Sequence, residues 1–247
     1  MAWAAASCLQ IVWARYLSAT LIALTVARPW AHPAVLRSKR PGLQALRSLL
    51  LLGSTVSVVL ALRRLQLAET TTISFLTPIF VASLAGPLLG ERVGAERMIA
   101  IVVGFFGVLI ATRPGASTFQ PIVLVAIAGV ACNSGYVLAT RKLARFDSPQ
   151  TTLLWTQAAG VVLLTPTLPW VWRLPDSLHV WLVMTGFGAF AAAGHGLLIV
   201  AHKFAPALTP FSYTQLIWMI ASAFLIFGDW PPTATLIGAE LAVACGA

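Results

Sequence analysis

Arg15 stands alone as a charge in the run from Met1 to Ala27, which is long enough to cross a bilayer. A charge at the centre of such a helix costs about 2.5–3.5 kcal/mol on insertion scales, so it needs a partner or a use. The use would be as counter-ion to an anionic or zwitterionic substrate group. The other readings are snorkelling to the interface near Gln10, or tying helices together. His195 shares a helical face with Gly188, Ala191 and Ala192, at i−7, i−4 and i−3. Small residues at that spacing either admit a neighbouring helix or leave room for a ligand.

Three polar stripes accompany these two residues. Asn133, Tyr136 and Thr140 form one; Gln215, Trp218 and Ser222, with Tyr213 close by in sequence, form another. The third is Thr70, Ser74 and Thr77, followed by Pro78, whose missing N–H would free a backbone carbonyl within a helix. A polar stripe in lipid must face protein or a wet cavity. Single stripes serve as interhelical glue, whereas three together point to a polar central cavity. Glu240 offers a carboxylate for proton movement or an incidental contact. Glu91 and Asp229 end helices and order the turns that follow.

The elements that must position these residues are membrane helices. Of the 247 residues, 59% are hydrophobic and only 9% charged. A soluble domain carries about 25% charged residues, so this chain cannot coat a water-facing surface. Nine spans are expected, at about 8–27, 46–64, 69–90, 96–112, 120–141, 150–172, 178–201, 206–228 and 232–247. Their runs are too long for strands and lack a period of two. Alternate loops hold Arg28, Arg37, Lys39, Arg40, Arg47, Arg92, Arg97, Arg141, Lys142, Arg145 and Lys203 in one set, against Arg63, Arg64, Arg113 and Arg173 in the other. The richer set belongs in the cytoplasm.

The same distribution places the net charge of +9 at membrane edges and excludes a nucleic-acid surface. Cys8, Cys132 and Cys245 are too far apart for a disulfide framework or a metal site. No Walker A motif, G-x-S-x-G or H-E-x-x-H is present, so neither an enzyme nor a cofactor is expected.

The chain also repeats itself. At an offset of 138, Thr71 meets Thr209, Ser74 meets Ser212, Gly90 meets Gly228 and Glu91 meets Asp229. At an offset of 142, Trp13 meets Trp155, Trp30 meets Trp172 and Arg15 falls on Gln157. Matching spans lie five apart, so the copies have opposite orientation, a construction common in secondary transporters. The expected plan is five plus five helices, with the opening helix missing from this sequence.

The segments QIVWARYL (10–17), LAETTTISFLTPIFVASLAGPLLGERVGAERMIAIVVGFFGVLIATRPG (67–115) and FGDWPPTATLIGAELAVACG (227–246) resemble the EamA-type ten-helix members of the drug/metabolite transporter superfamily. Two inverted repeats are then expected, 1–114 and 115–247, in an all-α polytopic bundle. The resemblance implies a secondary transporter (permease or exporter) of the inner membrane that moves a small metabolite or drug by alternating access around a central cavity. The expected substrate-binding set is Arg15, Ser74, Thr77, Pro78, Asn133, Tyr136, His195, Tyr213, Gln215 and Trp218. The alternative is a non-transporting or degenerate protein of the same fold. The expected partners are a small molecule and the lipid bilayer, with a homodimer left open.

Overall fold

The computed structural model describes residues 8–65, 70, 73, 74, 76–90, 121–172, 174, 175 and 177–204. It also describes isolated positions 94, 95, 98, 99, 102, 103, 106, 218, 221 and 225. Helix α1 is Cys8–Ala27, followed by a 3-10 turn at Pro33–Leu36; α2 is Pro41–Ala61 and α3 is Thr77–Leu89. Then come α4 (Ile122–Leu143), α5 (Pro149–Leu164, continued by helical turns to Val171) and α6 (Leu178–Phe204). Four stretches are long and apolar enough to cross a membrane: Leu9–Ala27, Pro41–Ala61, Ile122–Leu143 and Leu178–Ala201. This is a polytopic helical membrane protein. The expected spans 96–112, 206–228 and 232–247 lie largely outside the described residues, as do Tyr213 and Gln215.

Two local readings change. Helix α2 begins at Pro41 rather than near 46, because proline at a helix start sacrifices no hydrogen bond. Arg47 therefore sits inside a helix and is fully buried, not in a loop. Pro78 is the second residue of α3, where a missing N–H frees nothing, so the freed-carbonyl argument fails there. The proline inside α3 is Pro87. Gly90 then ends the helix in the left-handed region (φ 71°), its N–H returning to the carbonyls of Ala85 and Gly86.

The chain forms two compact units, each drawing on both sequence halves: 1–59 with 135–206, and 60–134 with 207–247. In the first, α1 packs on α5 and α6, which also touch each other. Ala23, Ala27, Leu153, Leu154 and Ile199 form one buried cluster, and Val12, Tyr16 and Leu164 another. The second unit buries Ala61, Leu65 and Ala126 against Ile73, Ile122 and Val123.

Glycines set how closely the helices of the first unit approach. A Cβ on Gly160 would overlap the Tyr16 ring. One on Gly188 would fall on Ser18 Oγ and lie 2.6 Å from the Arg15 carbonyl oxygen. Backbone cannot yield as a side chain can, so Gly188→Ala should push α6 off α1 and destabilise by about 1–3 kcal/mol. Gly186, two residues away, has nothing within 4 Å of its Cβ position. Gly186→Ala should therefore leave the melting temperature unchanged or raise it, and equal melting of the two variants would refute the close-packing account.

The loop after α4 is clamped by Asp147. Its carboxylate accepts from Ser38 Oγ, from the Lys39 N–H at 2.8 Å and from Gln44 Nε2 at 2.9 Å. Partial burial pushes the carboxyl up. The bonds from Ser38, Lys39 N–H and Gln44, with the Lys39 charge, outweigh burial and hold it below its ordinary 3.8. A depressed folded value stabilises the protein above the unfolded value and loses that contribution as pH falls through the folded one. Wild type and Asp147→Asn should thus differ in melting temperature by a constant amount from neutral pH down to about 5, the gap closing below about 4. A gap that persists at low pH would exclude the ionised clamp.

Candidate functional site

The buried face of α1 is Val12, Tyr16, Ala19 and Ala23, at helical spacing. Arg15 lies beside it, only 5% exposed. Its Nη2 meets His195 Nε2 at 2.9 Å and its Nη1 donates to Thr55 Oγ1 at 3.4 Å. A guanidinium can only donate, so Nε2 is the acceptor and the neutral imidazole carries its proton on Nδ1. That proton points to Tyr136 Oη, 3.1 Å away. The Tyr136 and His195 rings meet edge to face at 5.6 Å.

Tyr136 Oη also accepts from Arg47 Nη2 at 3.0 Å. Arg47 donates from Nε to Thr140 Oγ1 at 2.7 Å, and from Nη1 to the Thr152 carbonyl at 3.2 Å and to Thr156 Oγ1. The result is one hydrogen-bonded chain, Thr55–Arg15–His195–Tyr136–Arg47, with Thr140 and Thr156 at its end. It links α1, α2, α4, α5 and α6 within the first unit.

The two arginines play different parts. Arg47 is fully buried, lies 4.5 Å from the Tyr136 ring centroid and is engaged along its whole fork. Arg15 uses only part of a five-donor fork, with Tyr16 and Phe187 rings at 4.8 and 5.7 Å from its guanidinium carbon. Neither is ion-paired to a carboxylate among the described residues. Two guanidiniums without an acid make a site that an anion would complete. Gln157 adds a further demand: it is fully buried, and neither end of its amide finds a hydrogen bond among the described residues. Such a group calls for water or a ligand.

Of the expected residues, the structure joins Arg15, Tyr136 and His195. Asn133 Nδ2 donates to Thr77 Oγ1 at 3.5 Å in the second unit, and Ser74 Oγ is turned back to the Thr70 carbonyl. Pro78 is buried, and Trp218 is exposed. Sequence reasoning missed Arg47, Thr55 and Thr156. Arg47 carries a signal, a base four residues from Leu43 within an apolar run, but its nearness to Arg37, Lys39 and Arg40 makes it read as a loop charge. Among the described residues no group of three His, Cys, Asp or Glu side chains could hold a metal.

Comparison with known proteins points one way. Residues 2–113 match the model of the EamA-like transporter family. The chain is 30% identical over 174 residues to the riboflavin transporter of Vibrio cholerae serotype O1, covering 68% of this chain and 57% of that protein. It is 26% identical over 210 residues to the S-adenosylmethionine uptake transporter of Rickettsia conorii, covering 84% of this chain and 71% of that one. A solved crystal structure superposes with a TM-score of 0.79 at 19% identity, over 97% of this chain and 85% of its own. The fold is thus one already seen in a crystal, and the relatives are named as transporters rather than enzymes.

Proposed function

Since residues 2–113 match the EamA-like transporter family, we propose that the chain is a secondary transporter of that kind whose small-metabolite substrate presents an anionic group to Arg15. The observation that supports this most directly is the nearly buried Arg15, held by Thr55 and His195 with no carboxylate to neutralise it among the described residues. An unneutralised guanidinium in a membrane span is kept at a cost, which a transported anion would offset each time it binds. Tyr136 and Arg47 fix the far side of His195, so that the imidazole presents an acceptor to Arg15 and leaves the rest of its fork for the substrate.

On this reading the chain resides in the inner membrane, and two inverted repeats, 1–114 and 115–247, alternate access to a central cavity. The substrates in the relatives' names, riboflavin and S-adenosylmethionine, are the first to try. Proteoliposomes holding the purified chain should show saturable uptake of a labelled metabolite that carboxylate- or phosphate-bearing analogues compete away. Absence of flux across amino acids, nucleobases, vitamins and nucleoside derivatives would favour a non-transporting protein of the same fold.

A further inference from the structure

The end of α1 carries a separate site. After Ala27 the chain turns at Arg28, whose φ of 45° is the only positive value for a non-glycine residue among those described. Glycine holds that conformation with less strain, so the side chain is retained there against a local preference. Arg28, Arg37 and Lys39 line one cavity of about 860 Å³, together with His32, Gln150 and Asp147. All three bases are exposed, and Arg28 and Arg37 make no side-chain hydrogen bond or ion pair among the described residues. Asp147 is already bonded to Ser38, the Lys39 N–H and Gln44. Three permanent positive charges therefore face a single, occupied carboxylate.

An apolar trough adjoins this basic cavity. It measures about 520 Å³ and is lined by Leu36, Leu49, Leu154, Ala158 and Val162, with Trp155 on its wall. The two hollows meet at the 3-10 turn, where Val35 lines the first and Leu36 the second. Trp155 Nε1 donates to the Leu36 carbonyl at 3.1 Å and pins that turn between them. From Leu154 to Val162 the trough follows α5 for about 12 Å away from the basic cavity. Small side chains at Ala45, Ser48 and Ala159 also line it. Trp30, 70% exposed, stands close to Arg28 in sequence, as an indole at a membrane–water boundary does.

A cationic hollow opening onto an apolar trough at the membrane edge matches an amphiphile with a negative head. We propose that the pair holds one anionic phospholipid, its phosphate among Arg28, Arg37 and Lys39 and an acyl chain along α2 and α5. A zwitterionic lipid would fill the trough without the net attraction at the head, and a soluble phosphate would gain the head alone.

The test uses the full chain purified in detergent, with bound lipid counted by native mass spectrometry. Phosphatidylglycerol should be retained at least tenfold better than phosphatidylcholine of the same acyl chains, and millimolar inorganic phosphate should not displace it. Arg37→Gln and Lys39→Gln should each weaken phosphatidylglycerol about fivefold and leave phosphatidylcholine unchanged. Ala158→Phe, which fills the trough, should weaken both lipids alike. Folding of the two charge variants is checked by their melting in lipid-free detergent: Arg37→Gln should equal wild type because its side chain is exposed, and Lys39→Gln should fall only slightly, through loss of the Lys39 charge beside Asp147. Equal retention of the two lipids, or insensitivity to the charge variants, would overturn the proposal. Displacement by inorganic phosphate would do the same, marking a soluble-anion site instead.

Discussion

Arg15→Gln should lower uptake of an anionic substrate by roughly 10- to 150-fold, the worth of a hydrogen bond to a charged group. The loss should be selective. A neutral analogue of the same substrate should be carried by the variant nearly as well as by wild type, because only the anionic group faces the missing charge. Arg15→Lys should fall between the two: it restores a point charge but not the planar fork that reaches Thr55 and His195 together. Removing an intramembrane charge also removes its insertion cost, so the glutamine variant should express and melt at least as well as wild type. Wild-type flux in Arg15→Gln, with unchanged KM for the anion, would leave Arg15 as a helix tie and withdraw the anion-carrier reading.

The second large effect is on stability. Arg47→Ala should cost about 3–5 kcal/mol, because it leaves a buried void and strips the Tyr136, Thr140 and Thr156 hydroxyls and the Thr152 carbonyl of a shared donor. Domains commonly hold only about 5–15 kcal/mol in total, so the change should appear as a large drop in melting temperature in detergent. Arg47→Met separates volume from hydrogen bonding: it fills the space and should recover much of the loss. If the methionine variant is stable yet transport-defective, Arg47 acts through Tyr136 on the substrate site. If the alanine variant melts like wild type, the network is not a structural tie.

Much of this was legible in the chain. Run lengths of uncharged residues marked the helices, since 1.5 Å per residue against a fixed bilayer thickness leaves little freedom. Arg15 was visible as a lone charge in such a run, and the small face around His195 as a surface for close approach. The structure gives that face its partner, seating Gly188 against Ser18 and the Arg15 carbonyl. The Tyr136–Thr140 stripe was also legible, although nothing in it named Arg47 as the cation to which both residues bond.

Arg47 itself was misplaced because a base near a Pro- and Arg-rich loop reads as part of that loop. Two facts outside the local pattern decide otherwise. Pro41 starts the helix ahead of it, and Thr140 and Thr156, on two other helices, supply the acceptors that make burial tolerable. Pro78 erred the other way, standing at a helix start where the residues alone read as an interior.

From the sequence alone follow the membrane, the helices and the presence of an intramembrane charge, because each depends on residue type and on a periodicity measured over neighbours. Which groups meet that charge depended on the tertiary structure. Arg15 finds Thr55 and His195 across 40 and 180 residues of chain, through helix packing that glycines permit. Hydrogen bonding is satisfied by whatever lies within about 3 Å, and packing, not spacing along the chain, brings groups that close.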